Sequence, residues 1–258
     1  MPRVALFVPC YVDYLAPQVG LATAELLEAY GCEVDFPEAQ ACCGQPMANL
    51  GCHADARPLA LRFAKVFDAE RYDHVVAPSG SCVAMVRHHY GELARGARER
   101  EALIEVGRRT RELCEFLVDV LEVEAIDGRY PHRVGLHHGC HGLRELGLGG
   151  PSEWAPSPPD KVGRLLESID GLELIELERR DECCGFGGSF AVSEEAVSLR
   201  MGRDRLADHA RGGAEVIVST DVSCSLHLAS VARSAGNTTR LLHVAELMNE
   251  ARKALATR

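Results

Sequence analysis

"GCEVDFPEAQACCG", residues 31–44, comes back later in the chain as "GLELIELERRDECCG", residues 171–185. Each copy leaves a glycine, runs through a short apolar stretch with the alternation of a strand, and ends on two adjacent cysteines and a glycine. Working outward, the repeat widens. Upstream, "RVALFVPC" (3–10) matches "HRVGLHHGC" (132–140); downstream, "YDHVVAPSGSC" (72–82) matches "AEVIVSTDVSC" (214–224). Cys43 to Cys82 and Cys184 to Cys224 span 39 and 40 positions, whereas Cys10 to Cys42 and Cys140 to Cys183 span 32 and 43. The surplus in the second copy is "GGPSEWAPSPP" (149–159), a Pro/Gly/Ser-rich stretch that reads as a surface loop and carries the only tryptophan, Trp154. Matched spacing inside matched flanks indicates two related units. We expect a first cysteine-rich unit over 1–128 and a second over 129–258, joined through "EAIDGRYPHR" (124–133).

Each unit alternates strand and helix patterns. Strands are expected near 3–9, 33–37 and 73–78, again near 133–138, 172–178 and 215–219, with a late strand near 239–243. An amphipathic helix carries Leu15, Val19, Ala22, Leu26 and Tyr30 on one stripe and stops at Gly31. A second helix presents Leu59, Phe63, Val66 and Phe67. Residues 98–122 read as one long helical segment, and further helices are expected near 160–168, 194–210 and 244–255. Strands alternating with helices imply the α/β class: two tandem Rossmann-like units with parallel sheets, related by an internal repeat.

Composition narrows the function. The 258 residues are 47% hydrophobic and 26% charged, values of an ordinary globular chain. A formal charge of −10 argues against nucleic acid as a partner, because phosphate binding relies on clustered Lys and Arg. The apolar runs "VALFV" and "VIV" are far too short for a membrane span, and "MPRVALFVPC" reads straight into a strand, so a cytoplasmic location is expected. Eleven cysteines are many for a reducing compartment and point to metal or redox chemistry. Cys32, at a strand start, and Cys114, in an apolar helix, read as small buried hydrophobes; Cys52 has no assignment.

The remaining eight obey a rule that packing cysteines have no reason to follow. Cys10, Cys42–Cys43 and Cys82 come after the first, second and third strands of their unit, and Cys140, Cys183–Cys184 and Cys224 repeat the placement. Loops leaving the carboxyl ends of parallel strands converge on one crevice, so four thiols meet per unit. Adjacent cysteines suit a multi-metal object better than one tetrahedral zinc, whose knuckles place a spacer between ligands. Soft thiolates favour iron–sulfur clusters or zinc. Zinc remains open where His137, His138 or His141 replaces a thiolate. Gly44 and Gly185 permit unusual backbone next to the sulfurs, and Gly187 and Gly188 extend that freedom. "GFGG" is no dinucleotide fingerprint, since Phe190 stands where the third glycine is required.

At "CCGQP", "PSGSCVAM" and "CCGFGGSF" the chain resembles the lactate utilization protein A family of cysteine-rich CCG-domain proteins, and more distantly the glycolate oxidase iron–sulfur subunit and the B subunit of heterodisulfide reductase. The resemblance, which extends over essentially the whole chain, implies an iron–sulfur electron-transfer subunit of a complex that oxidises L-lactate, or another 2-hydroxy acid, to the 2-oxo acid. It would be a non-catalytic or co-catalytic subunit working with companion redox subunits. Residue by residue, Cys10, Cys42, Cys43 and Cys82 match the first ligand set and Cys140, Cys183, Cys184 and Cys224 the second, for one or two [4Fe–4S] clusters per chain, prone to loss or replacement by zinc in air. The heterodisulfide reductase pattern closes each set with a fifth cysteine; here Met85 and His227 stand there. A cluster-dependent disulfide reductase subunit and a zinc-stabilised interaction module are the alternatives.

Overall fold

The computed structural model describes residues 1–256 and divides into two compact units, the first ending at Phe116 and the second beginning at Leu117. Each is built on four parallel strands.

In the first unit β1 (Arg3–Leu6) is followed by α1 (Cys10–Leu15) and α2 (Pro17–Ala29), then β2 (Glu33–Asp35), α3 (Gln45–Asn49), α4 (His53–Val66), β3 (His74–Ala77) and α5 (Gly80–Ala84). A π-helical turn, Met85–His89, and a 3-10 turn, Tyr90–Leu93, lead to α6 (Ala97–Arg109), β4 (Thr110–Glu112) and α7 (Leu113–Asp119). The sheet order is β2-β1-β3-β4, with Ala5 beside Asp35 on one side and Val75 on the other. The chain therefore reverses direction across the sheet between β1 and β3, the switch point where parallel sheets open a crevice.

Apolar side chains explain why these elements stay together. Val4, Ala5, Leu6, Val75, Val76 and Ala77 are buried in the two central strands, and α2 buries Val19, Ala22, Leu26 and Leu27 on one face. Burial of each large aliphatic chain contributes about 1.5–3 kcal/mol. Leu15 departs from the expected stripe: the helix breaks at Ala16, Pro17 starts α2, and Leu15 is left 58% exposed. Phe7, at the end of β1, packs edge-on against Phe63 and Phe67 of α4, with centroids at 4.9 and 5.7 Å, and Tyr90 closes on Phe63 at 5.5 Å.

The second unit contains β5 (Arg133–His137), α8 (Cys140–Arg144), α9 (Lys161–Glu167), β6 (Glu173–Leu174), α10 (Phe190–Ser193), α11 (Glu195–Arg211), β7 (Val216–Ser219), α12 (Val222–Ser234), β8 (Arg240–His243) and α13 (Val244–Ala256). Its order, β6-β5-β7-β8, reproduces the first sheet. The repeat extends to hydrogen bonds. Asp73 accepts the Arg3 amide (2.8 Å), and Glu215, its counterpart, accepts the Arg133 amide (2.9 Å). The 149–159 insertion is tied down on both sides: Arg144 donates to Glu153 (2.6 Å), and the Ser152 amide donates to Asp181 (2.7 Å).

One expected element is corrected. Residues 98–122 are not one helix but α6, β4 and α7, with β4 pairing parallel to β3 (Val76 beside Arg111). Thr110 and Glu112 are fully buried, and the Glu112 carboxylate accepts the Cys114 amide (2.6 Å), turning the chain from strand into α7. Burial in the sheet outweighs the helical propensity of "RRTREL". Among the described residues no helix is long and apolar enough to cross a membrane.

Candidate metal centres

Cys10 is the first residue of α1, directly after β1; Cys82 lies in the first turn of α5, directly after β3; Cys42 and Cys43 lie in the loop after β2. These are the loops that flank the switch point, and they bring four thiols together. The Cys10 and Cys42 sulfurs are 3.8 Å apart, and Cys43 and Cys82 are 3.4 Å apart. All eleven cysteines are free thiols. Gly44 holds φ +84°, which lets its amide fold back to donate to the Cys42 sulfur at 3.4 Å. The Ser79 hydroxyl caps α5 by accepting the Cys82 amide, and the Tyr90 hydroxyl donates to the Cys43 carbonyl. The loop is therefore fixed on both sides of the thiols.

The second unit repeats this arrangement with changes. Cys140 begins α8, Cys183 and Cys184 follow β6, and Cys224 lies in the first turn of α12, whose start is capped by Asp221 accepting the Ser223 amide. Amides of Gly185 and Phe186 donate to the Cys183 and Cys184 sulfurs at 3.4 and 3.5 Å. Gly185 (φ +92°) has no room for a side chain: an added Cβ would lie 2.6 Å from the Ser198 carbonyl oxygen and 2.7 Å from the Met201 Cβ.

Sulfur electrostatics follow the same order in both sets. Hydrogen bonds from the Cys10 and Cys43 thiols hold Cys42 down at about 3 against burial, with the Gly44 amide assisting. Those from Cys140 and Cys184 hold Cys183 at about 2, helped by the Gly185 amide. Their donors Cys10, Cys43, Cys140 and Cys184 are pushed up by the same bonds and by burial. The first cysteine of each vicinal pair is thus a sulfur whose thiolate form its neighbours stabilise.

The donor set fits a thiophilic metal group: convergent soft sulfurs, a stabilised thiolate in each set, and backbone amides directed at sulfur. Cys10, Cys42, Cys43 and Cys82 would hold it in the first unit, and Cys140, Cys183, Cys184 and Cys224 in the second. The other cysteines lie elsewhere. Cys32 and Cys114 are buried, before β2 and within α7, and Cys52 is exposed at the start of α4. Met85 is buried, and His227 sits 3.5 Å from the Ser198 hydroxyl, so no fifth thiolate stands at either position.

The three histidines near Cys140 have separate surroundings. His138 pairs with Asp160 (2.8 Å), and His141 lies 3.7 Å from the Cys140 sulfur through Nδ1 and 3.6 Å from Glu145 through Nε2. His137 is fully buried, its two ring nitrogens have no hydrogen-bond partner, and one lies with the Cys184 and Cys224 sulfurs in a group whose ligand atoms are all within 4.8 Å of one another. Behind it stand Arg205 and His209, which sequence reading did not single out. Arg205, fully buried, donates from Nε to His209 Nε2 (3.2 Å) and pairs with Asp208 (3.3 Å). Burial first, then the Arg205 charge, push His137 down to about 3 and His209 to about 2, so both rings are neutral. The signal was in the repeat. With strands and helix starts in register, His137, Arg205 and His209 occupy the places of Phe7, Phe63 and Phe67.

A cysteine-rich domain family, CCG, matches the chain over residues 4–87 and 134–229. Lactate utilization protein A of an Exiguobacterium strain is 39% identical over 97% of this chain and 98% of that protein. The protein of the same name from Halalkalibacterium halodurans is 39% identical over 96% of each. Among solved structures, a hypothetical protein from Helicobacter pylori superposes with a TM-score of 0.62 at 13% identity, over 97% of this chain and 49% of that one, a likeness of fold alone.

Proposed function

Because the chain belongs to the lactate utilization protein A family of cysteine-rich CCG proteins, we propose that it is an iron–sulfur electron-transfer subunit in the oxidation of L-lactate, or a related 2-hydroxy acid, to the 2-oxo acid. The observation that carries this reading is the duplicated convergence of four thiols from three loops at each sheet's switch point, with amides directed at the sulfurs.

In that reaction the hydroxy acid loses two electrons and two protons. The part assigned to this chain is to take electrons from one companion redox subunit and deliver them to another. When bound, an iron–sulfur centre supplies one-electron transfer at a potential set by its surroundings. The chain's own residues set those surroundings. The cysteines of each set bring thiolate sulfur, the Gly44, Gly185 and Phe186 amides lower the charge density on it, and the buried Tyr90 hydroxyl holds the Cys43 carbonyl behind the first set. Eleven unpaired cysteines support a cytoplasmic location. The absence of a fifth cysteine, with Met85 buried in its place, weighs against a disulfide reductase of the heterodisulfide type.

Purification without oxygen, followed by iron, zinc and acid-labile sulfide analysis and an absorption spectrum, tests the reading. Brown protein with near-equal iron and sulfide, bleached by dithionite, is expected. Colourless protein with stoichiometric zinc would remove the electron-transfer function.

A further inference from the structure

The two centres share a backbone plan but differ in the core immediately behind the sulfurs. In the first unit that core is apolar: Phe7 against Phe63 and Phe67. In the second the same three places hold His137, Arg205 and His209. Gly135 makes the exchange possible, because a Cβ there would stand 2.2 Å from His209 Nδ1; its counterpart in β1 is Ala5.

Replacing an aromatic cluster by buried polar groups is costly unless those groups are satisfied. Arg205 and His209 satisfy each other in part, through the Nε to Nε2 bond and the Asp208 pair. His137 has no such compensation: it is 2% exposed and neither nitrogen has a partner. A buried imidazole left bare on both nitrogens forfeits the hydrogen bonds it makes to water, a cost that a bond from one nitrogen to a metal offsets. Two soft sulfurs, those of Cys184 and Cys224, lie within 4.8 Å of one of its nitrogens. Donors on one tetrahedral ion, with bonds of about 2.0–2.3 Å, stand about 3.3–3.8 Å apart, a spacing that small side-chain shifts reach from here.

We propose that His137 is a metal ligand of the second centre, giving it mixed thiolate–imidazole ligation, while Phe7 leaves the first centre thiolate-only. This rests on the proposal above that the cysteine sets hold metal. Beside Cys184 and Cys224 the imidazole takes the place of one of the other two thiolates; being uncharged, it removes a negative charge from around the metal, so the second centre is the easier of the two to reduce.

The test uses the whole chain, prepared without oxygen, in three forms: wild type, His137→Phe, which copies the first unit, and Cys42→Ser/Cys43→Ser, which removes the first centre. Pulsed electron paramagnetic resonance of the reduced protein should show nitrogen-14 coupling from a directly bound imidazole in the wild type and in the Cys42→Ser/Cys43→Ser protein. That coupling should be absent in His137→Phe. Brown, iron-loaded protein with no such coupling overturns the ligand assignment and leaves the iron–sulfur function standing. If the protein holds zinc instead, that function falls. Zinc-edge absorption then decides: a nitrogen scatterer lost in His137→Phe supports the assignment, and an all-sulfur shell overturns it. Metal missing from the second unit overturns it as well. Should His137→Phe fail to fold, the spectrum of the Cys42→Ser/Cys43→Ser protein decides alone.

Discussion

Gly44 and Gly185 occupy the same place in the two repeats and are not equally replaceable. Both adopt positive φ, which costs an L-residue about 1–2 kcal/mol. At Gly44 the nearest atom to an added Cβ is the Ala56 carbonyl oxygen at 3.4 Å, an ordinary contact, so Gly44→Ala should lose roughly that amount. At Gly185 the Ser198 carbonyl and Met201 lie inside 2.8 Å, and overpacking adds about 1–3 kcal/mol. Urea denaturation should show Gly185→Ala as the more damaging of the pair; equal losses would mean that the loop moves aside freely. The thiols themselves were legible in the sequence, because pair spacing and position after strands can be read without coordinates. Arg205 and His209 were not, because their significance lies in contact with His137 across more than sixty residues, and polar residues on a helix ordinarily read as its solvent face.

Pairing between elements carries a pH dependence of its own. The Asp73 carboxylate ties the start of β1 to β3 by accepting the Arg3 guanidinium and amide, which hold it at about 2, below its ordinary 3.8. A depressed carboxylate contributes its full stabilisation above the unfolded-state value and loses it as pH falls toward the folded one. The difference in Tm between wild type and Asp73→Asn should therefore be constant above pH 5 and shrink between about pH 4 and 2. A gap that persists at pH 2 would show that charge is not its source. Elements also mark where sequence reading stopped. β8 was visible in "RLLH", half apolar and preceded by a turn, whereas its counterpart β4 is "TRE", three residues with no aliphatic side chain. The shared signature lies in the helices that follow: the Glu112 amide donates to Glu115 as the His243 amide donates to Glu246, one capping arrangement written in different residues.

At the scale of the whole molecule, two complete cysteine sets on two separate sheets predict independent loading. Cys42→Ser/Cys43→Ser should lower iron from about eight to about four per chain, as expected for one four-iron cluster in each unit, and leave helix content by circular dichroism unchanged. Cys114→Ser, remote from both sets, should leave iron content as it was; a large loss there would misplace the ligands. Architecture was readable because the repeat states it twice; the junction was less so, since α7 continues past the end of the first unit without a Pro/Gly-rich break. The insertion in the second unit has a practical consequence. Its Trp154 is the chain's sole indole, and Glu153 and Ser152 anchor that loop to Arg144 of α8, the helix that Cys140 begins, and to Asp181, two residues before Cys183. Tryptophan emission, excited beyond the tyrosine band, therefore comes from one known position in a loop tied to one centre. Loading that centre with a strongly absorbing chromophore should quench the emission by energy transfer, and Cys183→Ser/Cys184→Ser should restore it, so the protein carries its own optical gauge of occupancy.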